Sequence, residues 1–357
     1  MNTFRAEILD LVKSAVPAKE PARDIEISLQ YFGWDGLGGC SMQSVGEKHK
    51  LTRERVRQIT GKISRHMAAQ SEEKLTTLPS LLSMINAYAP ASADRIESLL
   101  KNHGLGEDRL EGVLQAARQF NRPGKHLRVT EEFGNRFVIL PDMEGSAEKV
   151  MAKAQKLTSH VGFICLDELM YLLPGIPRDA ALDFIRDVLS LRDDVVWLDE
   201  AHEWVWLKDA PRNRLVTCLS KMLTLFASTT LDNVRAGVNR YFRKGDSAPP
   251  KLYAPDQVVK AFLSAWGQAS CSPAGIVRKT SAFEPSVEPL EMEESIALHI
   301  LNSPEKMVRE KELENVLVPE MDGTTHPKKY NFSIALNYSP LIRKGEKRGQ
   351  YVATGTI

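Results

Sequence analysis

Cysteine is scarce in this chain, with four residues among 357. Cys40, Cys165, Cys218 and Cys271 include no C-x-x-C pair. The sequence therefore offers neither the ligand spacing of a zinc knuckle nor a disulfide framework. The eight histidines are separated from one another and from cysteine, and we expect no metal site or nucleophile–base pair among them.

Long apolar runs and an excess of charge of one sign are also missing. No run approaches the roughly 20 residues that a membrane-spanning helix needs, and the start MNTFRAEILD lacks a signal-peptide pattern. We expect a cytoplasmic protein without a membrane partner. The formal net charge is only +1, so affinity for nucleic acid must come from local patches.

Phosphate-binding loops of the G-x-x-x-x-G-K-[ST] type are absent as well. The glycine cluster at residues 36–39 lacks the strand and the lysine that such a loop requires. The sequence therefore predicts no enzyme activity and no cofactor.

One stretch, residues 41–67, SMQSVGEKHKLTRERVRQITGKISRHM, predicts two short helices joined by a tight turn. Ser41 and Thr52 are good N-caps, because their hydroxyls can accept from free backbone N–H groups of the first turn. Val56, Ile59 and Ile63 form one apolar stripe on the second helix. Gly61 is a weak helix former and predicts a less regular far end. This order is typical of a helix-turn-helix, whose second helix enters the DNA major groove.

Charged and amide side chains occupy the opposite face of that second helix. They are Arg53, Glu54, Arg55, Arg57, Gln58, Lys62 and Arg65. Over residues 41–67, seven Lys and Arg side chains stand against two Glu, which suits neutralisation of phosphates. A solvated charged helix on an ordinary bundle is the alternative.

The run LTRERVRQI, with SMQSVGEKHK and RDIEISLQYFGWDG before it, resembles the last segment of region 4 in the sigma-70 family. The resemblance covers residues 23–67 only, and no stretch resembles the family's promoter-melting region. It implies recognition of double-stranded DNA by Arg53, Glu54, Arg57 and Gln58, with Thr52 and Arg55 at phosphates. Arg suits guanine O6 and N7, Glu suits cytosine N4, and Gln suits adenine. RNA polymerase is a partner that the resemblance implies.

Beyond residue 72, helices and β-prone runs recur in a similar order every 65–75 residues. Three helices and a closing hairpin describe a winged helix. We therefore predict a mainly α fold in which a helix-turn-helix domain at 1–72 is followed by four winged-helix-like modules. Their predicted ranges are 73–143, 144–209, 210–283 and 288–357. Residues 275–279 are the candidate wing of the third module.

Charge separates these modules. The last has a basic third helix and wing, and we expect DNA contacts from Lys328, Lys329, Arg343, Lys344, Lys347 and Arg348. The 144–209 module is acidic, which would repel a phosphate backbone and suits a spacer or protein contact.

The sequence thus predicts a nucleoid-associated, sequence-selective DNA-binding protein, a transcriptional regulator of a bacterium or phage. The alternative is a DNA-tethered scaffold of a multi-protein system, whose winged modules bind other protein subunits.

Overall fold

The computed structural model describes residues 3–16, 21–240, 251–285, 291–318 and 327–357, without the side chains of residues 291 and 327–330. The chain divides into two compact units. The first comprises Met1–Val150 with Met170–Leu191, and the second comprises Met151–Leu169 with Arg192–Ile357. The fold is mainly helical with small antiparallel sheets.

The helices follow one another along the described chain with short connections. They are α1 (Phe4–Ala15), α2 (Pro21–Phe32), α3 (Met42–His49), α4 (Arg53–Ala68), α5 (Ser71–Lys74), α6 (Leu78–Tyr88), α7 (Ala93–Asn102), α8 (Leu110–Gln119), α9 (Ser146–Val161), α10 (Arg178–Leu189), α11 (Arg214–Leu225), α12 (Leu231–Asn239), α13 (Asp256–Trp266), α14 (Glu291–Asn302), α15 (Glu310–Leu317) and α16 (Pro327–Tyr338). Short 3-10 helices occupy Pro141–Met143 and Leu166–Leu172. Within the described ranges, no helix is both long and apolar enough to span a membrane.

The strands are two to five residues long. They are β1 (Ala91–Ser92), β2 (Arg128–Glu132), β3 (Asn135–Ile139), β4 (Ile164–Cys165), β5 (Val195–Trp197), β6 (Trp204–Leu207), β7 (Ser228–Thr230), β8 (Ala269–Cys271), β9 (Ile276–Lys279), β10 (Met307–Arg309), β11 (Ile342–Lys344), β12 (Gln350–Ala353) and β13 (Gly355–Thr356).

The same order of elements occurs four times after α5. Each time a helix is followed by a short strand, then by two helical segments and a hairpin. The four sheets have the orders β1-β3-β2, β4-β6-β5, β7-β9-β8 and β10-β12-β11, so the last strand of each set lies in the middle. The candidate wing at residues 275–279 is β9, which pairs with β8 and β7. The recurrence that the sequence suggested is therefore present in the element order.

A further strand, β13, extends the third of these sheets. Gly355 pairs with Thr229, and Thr356 pairs with Ser228. The carbonyl of Thr354 accepts hydrogen bonds from the Thr229 hydroxyl and the Asn233 amide, each at 2.6 Å. The strand that follows the fourth set is thus hydrogen-bonded to the sheet of the third set within the second unit.

Each unit has its own apolar core. In the first unit, α1, α2, α3 and α4 pack on one another, and Phe4, Ile8, Ile27 and Val56 are completely or almost completely buried. Burying such side chains contributes roughly 1.5–3 kcal/mol each. In the second unit the core includes Phe226, which lies beneath β13.

Several acidic residues of the 144–209 stretch have partners inside their own unit. Arg95 on α7 pairs with Asp183 at 2.8 Å and with Asp187 at 3.2 Å on α10, and Asp187 also accepts from the backbone N–H of Ser92. In the second unit, Arg192 donates to Asp194, at 2.5 Å from Nε and 2.8 Å from Nη2. The Arg95 pairs join α7 to α10, whereas the Arg192 pair lies within the connection from α10 to β5.

Candidate nucleic-acid interface

The turn between α3 and α4 fixes the orientation of the second helix relative to the first. The backbone N–H of Leu51 donates to the Gly46 carbonyl at 2.8 Å, and Lys50 ends α3 in the left-handed conformation, with φ 56°. A Cβ on Gly46 would lie only 2.6 Å from the Leu51 carbonyl oxygen. Glycine is therefore required at position 46, because the backbone on the far side of the turn comes so close.

Both predicted N-caps are in place. The Ser41 hydroxyl accepts from the backbone N–H of Ser44, and the Thr52 hydroxyl accepts from that of Arg55 at 3.2 Å. Helix α4 runs without interruption through Gly61 to Ala68. The irregular far end that Gly61 predicted is absent, because the side chains that follow it, Ile63 and Met67, are buried and hold the last turns against the core.

The faces of α4 are divided as the sequence predicted. Val56, Ile59 and Ile63 are at most 5% exposed. All the predicted DNA-binding side chains of this helix and its cap are exposed, namely Thr52, Arg53, Glu54, Arg55, Arg57, Gln58, Lys62 and Arg65. The structure thus brings these eight positions together on the solvent side of one helix.

Glu54 is the hub of a small hydrogen-bonded group on this face. Arg57 donates to both of its carboxylate oxygens, at 2.8 Å from Nε and 2.7 Å from Nη2, and Gln58 donates at 3.3 Å. These bonds lower the pKa of Glu54, with the Arg57 hydrogen bond as the largest cause, and they raise the pKa of Arg57. Both groups stay charged at neutral pH, and more than half of each side chain is exposed to solvent.

A groove of about 480 Å³ runs along α4 and reaches the first turn of α2. Arg23 and Asp24 line it on the α2 side, and they form an ion pair at 3.1 Å. Its α4 side consists of Arg55, Arg57, Gln58, Ile59, Gly61, Lys62, Ile63 and Arg65. A Cβ on Gly61 would meet no atom within 4 Å, so the groove is open at this point.

Arg23 is a member of this surface that the sequence did not identify. Helix α2 begins at Pro21 and therefore includes Arg23. Proline is favoured in the first helical turn, and this signal would have placed Arg23 on the helix.

The second predicted set of DNA contacts lies in the second unit. Arg343, Lys344, Lys347 and Arg348 are exposed on β11 and in the turn that leads to β12. Lys328 and Lys329 belong to α16, but their side chains lie outside the described residues.

The described residues contain no group of three or more His, Cys, Asp or Glu side chains placed to hold a metal ion. None of the protein-family models, curated proteins or solved structures compared with the chain matches it.

Proposed function

We propose that the protein is a sequence-selective DNA-binding protein, a transcriptional regulator that inserts α4 into the major groove. The observation that carries this proposal is the exposed face of α4, where five Arg and Lys side chains stand beside Glu54 and Gln58. A helix with donors and acceptors on its outer face can form the paired hydrogen bonds that distinguish base pairs in the major groove. The resemblance to sigma-70 region 4 assigns the same residues.

We assign the exposed residues of α4 to two kinds of DNA contact, those to base edges and those to phosphates. Arg53, Glu54, Arg57 and Gln58 are proposed to contact base edges. Thr52, Arg55, Lys62 and Arg65 are proposed to contact phosphates, which fix the helix in its register on the duplex. The Thr52 hydroxyl accepts from the helix backbone, so its own proton is available for a phosphate oxygen.

We also propose that the four repeated element sets are winged-helix modules, in which the hairpin forms the wing. The order of helices and strands and the central position of the last strand support this assignment. In the last module the exposed cations of the β11–β12 hairpin would meet phosphates, together with Lys328 and Lys329 on the preceding helix. RNA polymerase is the protein partner that the resemblance suggests for α4, and we place the protein at the bacterial or phage nucleoid on the same ground.

The scaffold alternative depended on the acidic excess of residues 144–209. Asp183, Asp187 and Asp194 are paired with arginines within their own units. Because part of this charge is engaged inside the chain, it offers less to a partner, and DNA recognition is the proposal that the described surface favours.

A gel-shift titration of the full chain against duplex DNA tests the proposal. Affinity should fall steeply between 50 and 200 mM salt, as counterion release requires. Arg53→Ala and Arg57→Ala should each weaken binding, whereas Lys149→Ala, an exposed control on α9, should not. Unchanged affinity in both arginine variants would refute the assignment of α4.

A further inference from the structure

The first unit has a basic surface besides that of α4, at the end of α8 and in the connection to β2. The segment from Arg118 to Arg128, RQFNRPGKHLR, contains four Lys and Arg side chains and one histidine, and it has no acidic residue. Arg118, Lys125, His126 and Arg128 are exposed, and Arg122 is half-buried. We call these five residues the α8 strip.

The α8 strip is held against the helix that carries the proposed interface. Gln119 at the end of α8 donates from Nε2 to the Ser64 hydroxyl of α4 at 2.5 Å. The Trp34 ring stacks on Phe120 with centroids 6.1 Å apart, and its indole N–H donates to the Gly112 carbonyl at 2.9 Å. Gln119 and Phe120 lie next to Arg118 in the chain, so these contacts fix the start of the strip to the core on which α4 packs.

The cationic side chains of the strip donate their hydrogen bonds mostly to neutral acceptors. Arg118 donates to the Leu127 carbonyl at 3.2 Å and to the Gln115 side chain, and Lys125 donates to the Asn121 side chain at 2.7 Å. The one carboxylate paired with the strip in the described structure is that of Glu72, 3.8 Å from Arg122, and it is 87% exposed. Such an exposed pair contributes little.

Like charges are moreover close together. Burial lowers the pKa of Arg118, and the positive charge of Arg128 lowers it further. Among the described residues neither Arg118 nor Arg128 forms an ion pair with a carboxylate. Their like charges therefore leave a positive potential, which an external anion would relieve.

We propose that the α8 strip binds the phosphate backbone of the same DNA duplex that α4 contacts, so that the first unit has two contact areas. This inference rests on the proposed function. Because the strip contacts phosphates, it adds affinity and register without sequence preference. The acid-free run from Arg118 to Arg128 is the signal in the sequence that points to it.

The experiment compares the full chain with the double variant Lys125→Gln/Arg128→Gln, whose side chains are exposed and make few contacts. Duplex affinity is measured by fluorescence anisotropy at several salt concentrations. Each lost phosphate contact should reduce the slope of log K against log salt by about 0.9. The slope of the double variant should therefore be smaller than that of the wild type by about 1.8, and its preferred sequence should be unchanged. The control Lys101→Gln/Lys149→Gln removes the same charge from α7 and α9 and should keep the wild-type slope.

The possible failures are distinguishable. If the wild type binds duplex DNA and Arg57→Ala weakens it, but the Lys125/Arg128 double variant keeps the wild-type slope, the strip proposal alone is wrong. If the control Lys101→Gln/Lys149→Gln loses as much slope as the Lys125/Arg128 double variant, the strip proposal is also wrong, since the effect would then come from net charge. If the wild type does not bind duplex DNA at all, both proposals fall.

Discussion

Arg57 donates two hydrogen bonds to the Glu54 carboxylate, one turn earlier on the same exposed face of α4. A guanidinium that is held in this way presents its remaining N–H groups in a fixed direction. The carboxylate keeps acceptor capacity for a base amino group. In the proposed complex with DNA, this pair is therefore the part of α4 that we expect to discriminate between base pairs.

Glu54→Gln should change sequence preference. The substitution removes the carboxylate that orients Arg57 and Gln58. It also removes one negative charge from the surface that we propose faces phosphates. Affinity for random duplexes should rise severalfold, while discrimination at one base pair should fall by about 1–3 kcal/mol. Competition titrations against single-base variants of the preferred site measure both effects.

Glu47→Gln is the matched control for that change. Glu47 is exposed on α3 and accepts a hydrogen bond from Gln43, so its loss alters charge but not the Arg57 geometry. The Glu47→Gln variant should bind random duplexes more tightly than the wild type does and should prefer the same sequence. If both variants shift preference alike, Glu54 has no special role.

Gly46→Ala should destabilise the turn that precedes α4. The new Cβ would lie 2.6 Å from the Leu51 carbonyl oxygen, and such overpacking costs about 1–3 kcal/mol. Hydrogen exchange measured by mass spectrometry on peptides from residues 42–68 should show faster exchange.

Gly61→Ala is the opposite case in the same helix. Its Cβ would meet nothing within 4 Å, and alanine is favoured over glycine in a helix by about 1 kcal/mol. Exchange in the same peptides should slow. Slower exchange in Gly46→Ala than in the wild type would contradict the close approach described for the turn.

Gly355→Val should release β13 from the sheet of the second unit. A Cβ at this position would collide with the Phe226 ring and would lie 2.6 Å from the Ser228 carbonyl oxygen. Thermal unfolding should occur at a lower temperature, and hydrogen exchange in Ser228–Thr230 should accelerate. The control Ile357→Ser changes a side chain that is 68% exposed and should match the wild type. If hydrogen exchange in β7 is as slow in Gly355→Val as in the wild type, the pairing with β13 does not stabilise β7.

Asp194→Asn should weaken the acid dependence of stability in the second unit. The hydrogen bond from Arg192, followed by smaller contributions that include the backbone N–H of Asp209, holds the pKa of Asp194 below its ordinary value of 3.8. Since the folded carboxyl binds its proton less tightly than the unfolded one, its contribution is present above about pH 4 and is lost as the pH falls through the lowered value.

Urea unfolding at pH 6 and at pH 3 measures that prediction. The wild type should lose more stability between the two pH values than Asp194→Asn does. Asp193→Asn, at the exposed neighbouring position, should behave like the wild type. An identical loss in all three proteins would contradict the role given to the Arg192 pair.

Local patterns in the sequence were sufficient for much of the fold. The caps Ser41 and Thr52 and the stripe of Val56, Ile59 and Ile63 depend on neighbours three or four residues apart, and all are found as predicted.

Long-range pairings could not be predicted in the same way. The pairing of β13 with β7 joins residues more than 120 positions apart, and two-residue strands such as β1 carry no periodicity of their own. The partners of Arg95 on α10 and the contact of Gln119 with Ser64 also depend on tertiary packing. For the site, the sequence identified the face of α4 but neither Arg23 nor the α8 strip.

Selection of duplexes from a randomised pool, followed by affinity measurement on the selected and random sequences, tests the central claim most directly. The wild type should enrich a defined sequence and bind it at least about a thousandfold more tightly than random duplexes. Arg57→Ala should lose about 1–3 kcal/mol of this preference and much less of its affinity for random DNA. Failure of the wild type to enrich any sequence, or an undiminished preference in both Arg53→Ala and Arg57→Ala, would contradict recognition by α4.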